Sequence, residues 1–336
     1  MYGAIGGGGS AIGLIVGGVL TEYASWRWTL FVNVPIALVT AATAVRVLRE
    51  SKAAGETKYD IPGVLASAAR LAALVYGFTK ANTDGWGAPT TLALLLGGIG
   101  LLVLFVLIER RASHPLLPLR VVLHRNRGGS YLGSLLMGVG MFGVFLFLTY
   151  YLQQILGYTA LESGLAFLPF TAAVVLGATI SGRLLPRVGP RVLMSAGFAI
   201  AAGGLVLSSR FELDSSYVWQ VVPAEVVTAA GLGLFFGPLA STALTGVANR
   251  DAGVASALVN TTQQIGGALG TAILVGFATS VTTGYVATNS VTTDGYTSAF
   301  ALSAGILAVA AVMIGLLIQG KRPAAKDSAA AGRPAT

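Results

Sequence analysis

Ten apolar runs, each close to the ~20 residues that cross the hydrocarbon core of a bilayer, take up most of this 336-residue chain. They lie at roughly 3–21, 28–47, 61–79, 89–108, 130–151, 161–182, 191–208, 218–240, 255–279 and 298–318. Lipid offers no hydrogen bond to a bare backbone, so runs of this length cross as helices. The expected fold class is an all-α polytopic membrane protein of about ten transmembrane helices. Charge supports the same reading. Only 10% of the residues are charged, against about 25% in a soluble domain. The hydrophobic share is 54% and the mean hydropathy +0.77.

A net charge of +8 in a soluble protein would point to nucleic acid. Its placement here excludes that partner. Basic residues fill every second connector: Arg46, Arg49, Lys52 and Lys58, then Arg110, Arg111, Arg120, Arg125 and Arg127, then Arg183, Arg187 and Arg191, then Arg250, and last Lys321, Arg322, Lys326 and Arg333. The intervening connectors hold only Arg27, Lys80 and Arg210, and the stretch 280–297 holds none. This is the positive-inside pattern, which puts both termini in the cytoplasm. The connector 111–129 alternates Leu116, Leu117, Leu119 and Val121 with Arg120 and Arg125, as an interfacial amphipathic linker does. The tail 321–336, rich in Ala, Lys, Gly and Pro, has the composition of a disordered segment.

Glycine spacing marks the first run. Gly9, Gly13 and Gly17 recur every four residues, with Gly18 beside them. On a helix such residues share one face, and a bare face lets a second helix backbone approach closely within lipid. The pattern starts almost at Met1 with no charged flank, whereas a first helix carries orienting charges. The expectation is a chain that begins partway through a larger fold. Gln264-Ile-Gly266-Gly267-Ala-Leu-Gly270 in the ninth run echoes Gly9–Gly18, as internal repeats of transporters do.

Enzyme chemistry finds no constellation. There is no cysteine, which removes disulfides, thiolate catalysis and thiolate metal sites. Both histidines, His114 and His124, lie in one basic connector. No Gly-x-x-x-x-Gly-Lys-Ser/Thr phosphate loop occurs, so the chain does not hydrolyse ATP to drive export. Neither cofactor nor metal is expected.

Taken together, the local motifs resemble the major facilitator superfamily, in its fourteen-helix drug:proton antiporter branch. That branch carries G-x-x-x-G-P-x-x-G-G in its fifth helix. Gly9, Gly13, Gly17 and Gly18 match it, while Leu14 stands in the place of the proline. Ser25-Trp26-Arg27-Trp28 and Phe31-Val32-Asn33-Val34-Pro35 are similar to the branch's entry into helix six. Tyr59-Asp60-Ile61-Pro62-Gly63 resembles the entry to helix seven, and His114-Pro115-Leu116-Leu117-Pro118-Leu119 the loop after helix eight. Gly182-Arg183-Leu184-Leu185-Pro186-Arg187-Val188-Gly189-Pro190-Arg191 is similar to the loop motif G-x-L-x-D-R-x-G-R, with Pro186 in the acidic position. Asn249 to Ser256 and Asn260 to Gly267 resemble the penultimate helix.

The resemblance implies that the ten runs are family helices five to fourteen, with the first four missing. It divides the chain into 1–50 (remnant of an amino-terminal bundle), 51–110 (an extra hairpin), 111–129 (linker), 130–320 (a carboxyl-terminal six-helix bundle) and 321–336 (tail). It also implies proton-coupled efflux of drugs or other hydrophobic or cationic small molecules across the plasma membrane, by a monomer. The alternative is a truncated fragment that is inactive or depends on a partner.

Two intramembrane charges are candidates for function, since charge in lipid is expensive. Arg70 lies about ten residues into the third run. It either snorkels or pairs within the hairpin, or it takes part in function. Glu225 is the only carboxylate well inside a run. It is either a proton site whose exposure changes with the cavity, or a carboxylate at the interface or in a helix contact. Tyr150, Tyr151, Gln153 and Gln154 end the fifth run, as members of an aromatic interfacial belt or as cavity lining. Asn260, Gln263 and Gln264 in the ninth run need partners, either across helices or in a cavity. Gly182, Arg183, Arg187, Gly189 and Arg191 serve as an orientation signal or, by resemblance, as a cytoplasmic gate, with Gly189 at a tight turn.

Overall fold

The structure is a computed structural model. It describes residues 2–47, 72–81, 84–85, 87–111, 122–248, 251–286 and 294–319. Helices α1 (Tyr2–Tyr23), α2 (Trp26–Phe31) and α3 (Asn33–Val47) come first. A helical stretch, α4, covers 72–81 and is followed by α5 (Pro89–Arg111). Next are α6 (Arg125–Tyr150), α7 (Ala160–Ala166), α8 (Leu168–Val188) and α9 (Pro190–Ser208). The last three are α10 (Val222–Leu244), α11 (Ala252–Val286) and α12 (Asp294–Leu317). Among the described residues, seven helical segments are long and apolar enough to cross a membrane. The chain is a multi-pass, all-helical membrane protein. Nine of the ten apolar runs fall on helices, and the described part of the run 61–79 is helical too.

Local sequence explains the interruptions. The second run is broken at Val32, between α2 and α3. Pro35 lacks the N–H that would bond the Phe31 carbonyl, and proline suits a first turn. The Asn33 amide donates to the Thr29 carbonyl at 2.9 Å and bridges the break. Two wider π-turns, Tyr151–Ile155 and Tyr217–Val221, extend α6 and precede α10. Such turns occur often at functional positions.

Helices α6 to α12 form one bundle around a common core. Met137, Tyr151, Phe170, Phe198, Phe235, Leu274 and Leu307 are among its fully buried side chains. Phe198 stacks on Phe235 with centroids 4.3 Å apart. Glycine sets the crossings. A Cβ on Gly177 of α8 would lie 2.5 Å from the Ala230 carbonyl of α10. One on Gly266 of α11 would collide with the Leu135 carbonyl of α6, and one on Gly138 with the Gln263 carbonyl. The backbones touch directly, which is how lipid-embedded helices gain packing energy without a hydrophobic driving force. Helices α4 and α5 form a hairpin of their own, in which Gly77 meets Leu94 and Leu95, and Gly98 meets Leu74.

The expected linker runs to residue 129, but α6 begins at Arg125. The last four carbonyls of a helix lack intrahelical partners, and this basic turn supplies donors to the end of α12 and to the turn that follows α10. Arg125 donates to the Leu317 and Leu316 carbonyls at 2.9 and 2.6 Å. The Asn126 carboxamide oxygen accepts from the Gln319 N–H at 2.8 Å. Arg127, buried, donates to the Gly246 carbonyl at 3.1 Å. The rest of the linker (112–121), the segment 48–71 that includes Arg70, and the tail lie outside the described residues.

Candidate functional site

Helix α1 stands against α7 and α8, and the contact is tighter than its spacing of glycines requires. A Cβ on Gly18 would lie 2.9 Å from the Leu161 Cα, and one on Gly164 would lie 2.8 Å from the Leu14 carbonyl. Gly9, Gly13 and Gly17, in contrast, have open space at that position. Among the described residues, the shared face of the three glycines is therefore not the packed face. The packed seam runs along Leu14 and Gly18, four residues apart on the neighbouring stripe. Leu14, in the place of the motif's proline, supplies the backbone carbonyl against Gly164.

A groove of about 270 Å³ opens beside this seam. Gly13, Gly17 and Thr29 line one wall, and Thr149, Gln153 and Ser163 the other. Tyr150 and Gln154 are not among the residues that line this groove, whereas Gln153 beside them is. The helix turns about 100° per residue, so Thr149 and Gln153 share a face that Tyr150 and Gln154 do not. Tyr150 packs against Tyr296, with centroids 6.3 Å apart, and Gln154 is exposed. Tyr151, fully buried, donates to the Glu212 carbonyl at 2.5 Å.

Glu225 sits in the first turn of α10, continuous with the π-turn before it. Its side chain is 2% exposed. Neither carboxylate oxygen has a hydrogen-bond partner among the described residues. Its stripe continues through Ala229 and Leu232, both buried. Tyr217, within electrostatic reach, donates its hydroxyl to the Ala166 carbonyl at 2.8 Å instead. A pair with Arg70 lies outside what the described residues show.

The ninth-run amides divide. Gln263 reaches Met141 Sδ of α6 at 3.9 Å. Asn260 returns to the Ser256 carbonyl of its own helix at 3.4 Å. Asn260 and Gln264 are exposed on the bundle's flank.

A family model described as Major Facilitator Superfamily matches residues 1–271. The chain belongs to the major facilitator superfamily. Its relatives in that superfamily include the puromycin resistance protein of Streptomyces alboniger, 42% identical over 98% of this chain and 68% of that protein. The cephamycin export protein of Amycolatopsis lactamdurans is 39% identical over 82% of this chain and 58% of its own length. The tetracenomycin C resistance and export protein of Streptomyces glaucescens is 32% identical over 80% and 50%. The chain thus spans half to about two thirds of the relatives it matches.

In this superfamily member, the loop motif is mostly helix. Gly182 through Val188 complete α8, and Gly189 alone separates it from α9. Arg183, Arg187 and Arg191 are exposed and make no ion pair among the described residues. Gly189 has φ 83° and ψ 162°, a region open essentially to glycine and costing other residues about 1–3 kcal/mol. Gly189→Ala should lower the melting temperature of the detergent-solubilised protein by several degrees. An unchanged melting curve would show that the turn relaxes at no cost.

Glu22, Ser163 and Gly164 are site residues that the run-and-motif reading passed over. A signal was available. Thr159 and Glu162 form a capping box, Thr159 Oγ1 accepting from the Glu162 N–H at 3.2 Å and Glu162 accepting from the Thr159 N–H at 2.8 Å. That Thr-x-x-Glu spacing marks a helix start in sequence. It fixes which small residues face α1.

Proposed function

We propose that this chain forms the core of a proton-coupled exporter of amphipathic small molecules, antibiotics of the puromycin type among them. The observation that carries the reading is the groove between α1 and the wall made by the end of α6 and by α7. Transporters of this architecture place substrate between two helical bodies that rock about it. The relatives' names supply the substrate class. Both termini are cytoplasmic, by the alternation of basic connectors, and the membrane is the plasma membrane. One chain acts alone. Arg183, Arg187 and Arg191 act at the inner gate.

Glu225 is the proton carrier in this reading. An ion buried without a partner costs several kcal/mol, and a protonated carboxyl far less. Glu225 therefore carries a proton while enclosed and gives it up when the bundle exposes it. The support is the pair of unpartnered oxygens at 2% exposure.

The test is accumulation of labelled puromycin in a host lacking its own exporters. It uses the 336-residue polypeptide and a form carrying the four family helices upstream. Lower accumulation with either form supports export, and activity confined to the longer form assigns those helices a required share. Accumulation equal to the empty host in both forms defeats the proposal.

A further inference from the structure

We propose that Glu22 is the residue that ties α1 to the carboxyl-terminal bundle beside the groove and so holds the two bodies together at their outer ends. The inference rests on the transport reading and on the orientation given above, which place the end of α1 at the outer face.

The geometry is specific. Glu22 is the penultimate residue of α1. Its Oε2 accepts from the Leu161 N–H at 3.0 Å, 139 residues away in sequence. Leu161 is the second residue of α7, and its N–H is one of the donors that a helix start leaves without an intrahelical partner. The capping box already serves Thr159 and Glu162 from within. The Leu161 donor is left for a group from outside the helix, and α1 supplies it. Charge-assisted bonds of this kind are among the stronger ones, and a carboxylate is favoured at a helix start.

The tie also sits where the seam is closest. Gly18 lies one turn below Glu22 on the same helix, and a Cβ there would meet the Leu161 Cα at 2.9 Å and the Ala160 carbonyl at 3.0 Å. Below that, Leu14 meets Gly164. Glu22 thus completes a line of contact that runs from Leu14 through Gly18, beside the groove lined by Gly13, Gly17 and Thr21. A body rocking about this seam to part the outer ends must first break the Glu22–Leu161 bond. Glu22 is thus a positioning residue for alternating access, and it touches no substrate.

The test reads the gate directly, independently of transport. The chain has no native cysteine, so a single Ser163→Cys on the groove wall reports access. Its reaction with a membrane-impermeant thiol reagent is followed in intact cells and, in parallel, in inside-out vesicles. Reversed orientation would appear as labelling from the other side and would count against the orientation alone. Glu22→Ala should raise the rate about fivefold, as the loss of one charge-assisted bond allows. Glu22→Gln, which keeps an acceptor oxygen, should stay within about twofold. An unchanged rate in Glu22→Ala overturns the tie. So does an equal rise at a control cysteine in place of Ser208, at the outer end of α9 away from the seam, because that reports loosening of the whole bundle.

Discussion

Glu225→Gln should flatten the pH dependence of export while leaving the protein folded. One proton moving down one pH unit supplies about 1.4 kcal/mol. That sustains an about tenfold steeper drug gradient. In the parent, acidifying the outside should therefore deepen drug exclusion by up to about tenfold per unit. In the variant the same acid step should change nothing, because glutamine neither binds nor releases the proton. Drug should still move down its own gradient, since Glu225 is absent from the groove wall. Folding should survive, because an amide of nearly the same shape enters a position whose oxygens already lack partners among the described residues. The measurement is drug efflux from loaded cells or vesicles at a series of outside pH values. A parental slope in Glu225→Gln would remove this residue from coupling.

Gly266→Val should abolish accumulation of the folded protein. A Cβ at Gly266 meets the Leu135 carbonyl, and the reciprocal Gly138 meets the Gln263 carbonyl, so α6 and α11 have no room to yield sideways. Overpacking of side chains costs about 1–3 kcal/mol. Here the obstacle is backbone, and the helices must part along the seam. Against a total stability of about 5–15 kcal/mol, that loss is decisive. Gly305→Ala on α12 is the control, with nothing within 4 Å of the added carbon. It should change stability by less than about 1 kcal/mol. The yield of monodisperse protein on size-exclusion chromatography distinguishes the two. Equal yields would show that the α6–α11 crossing is looser than its geometry implies.

Fold class was legible because it depends on run length, and run length is written directly in composition. Nine of the ten runs became helices with shifts of a few residues. Details that depend on which face meets which neighbour were not legible. Gly9, Gly13 and Gly17 advertised a contact face, yet the contact formed on the adjacent stripe through Leu14 and Gly18. Spacing identifies a bare face but not the partner that fills it. Of the polar and aromatic residues that end the fifth run, Gln153 lines the groove with Thr149, and run length could not single it out from its neighbours. The burial of Glu225 followed from its place in an apolar run. The emptiness around its oxygens could only come from three-dimensional packing. Arg125 and Arg127 read as orientation charges, whereas they also hold the end of α12 and the turn that follows α10.

That last role has a mechanical outcome. Three consecutive residues, Arg125 to Arg127, fasten the start of one helix to the finish of a second and to the turn that follows a third. Those three rods cannot separate singly at that end. Any stroke must carry them as one block, and the shear is left to the joint with the first helix.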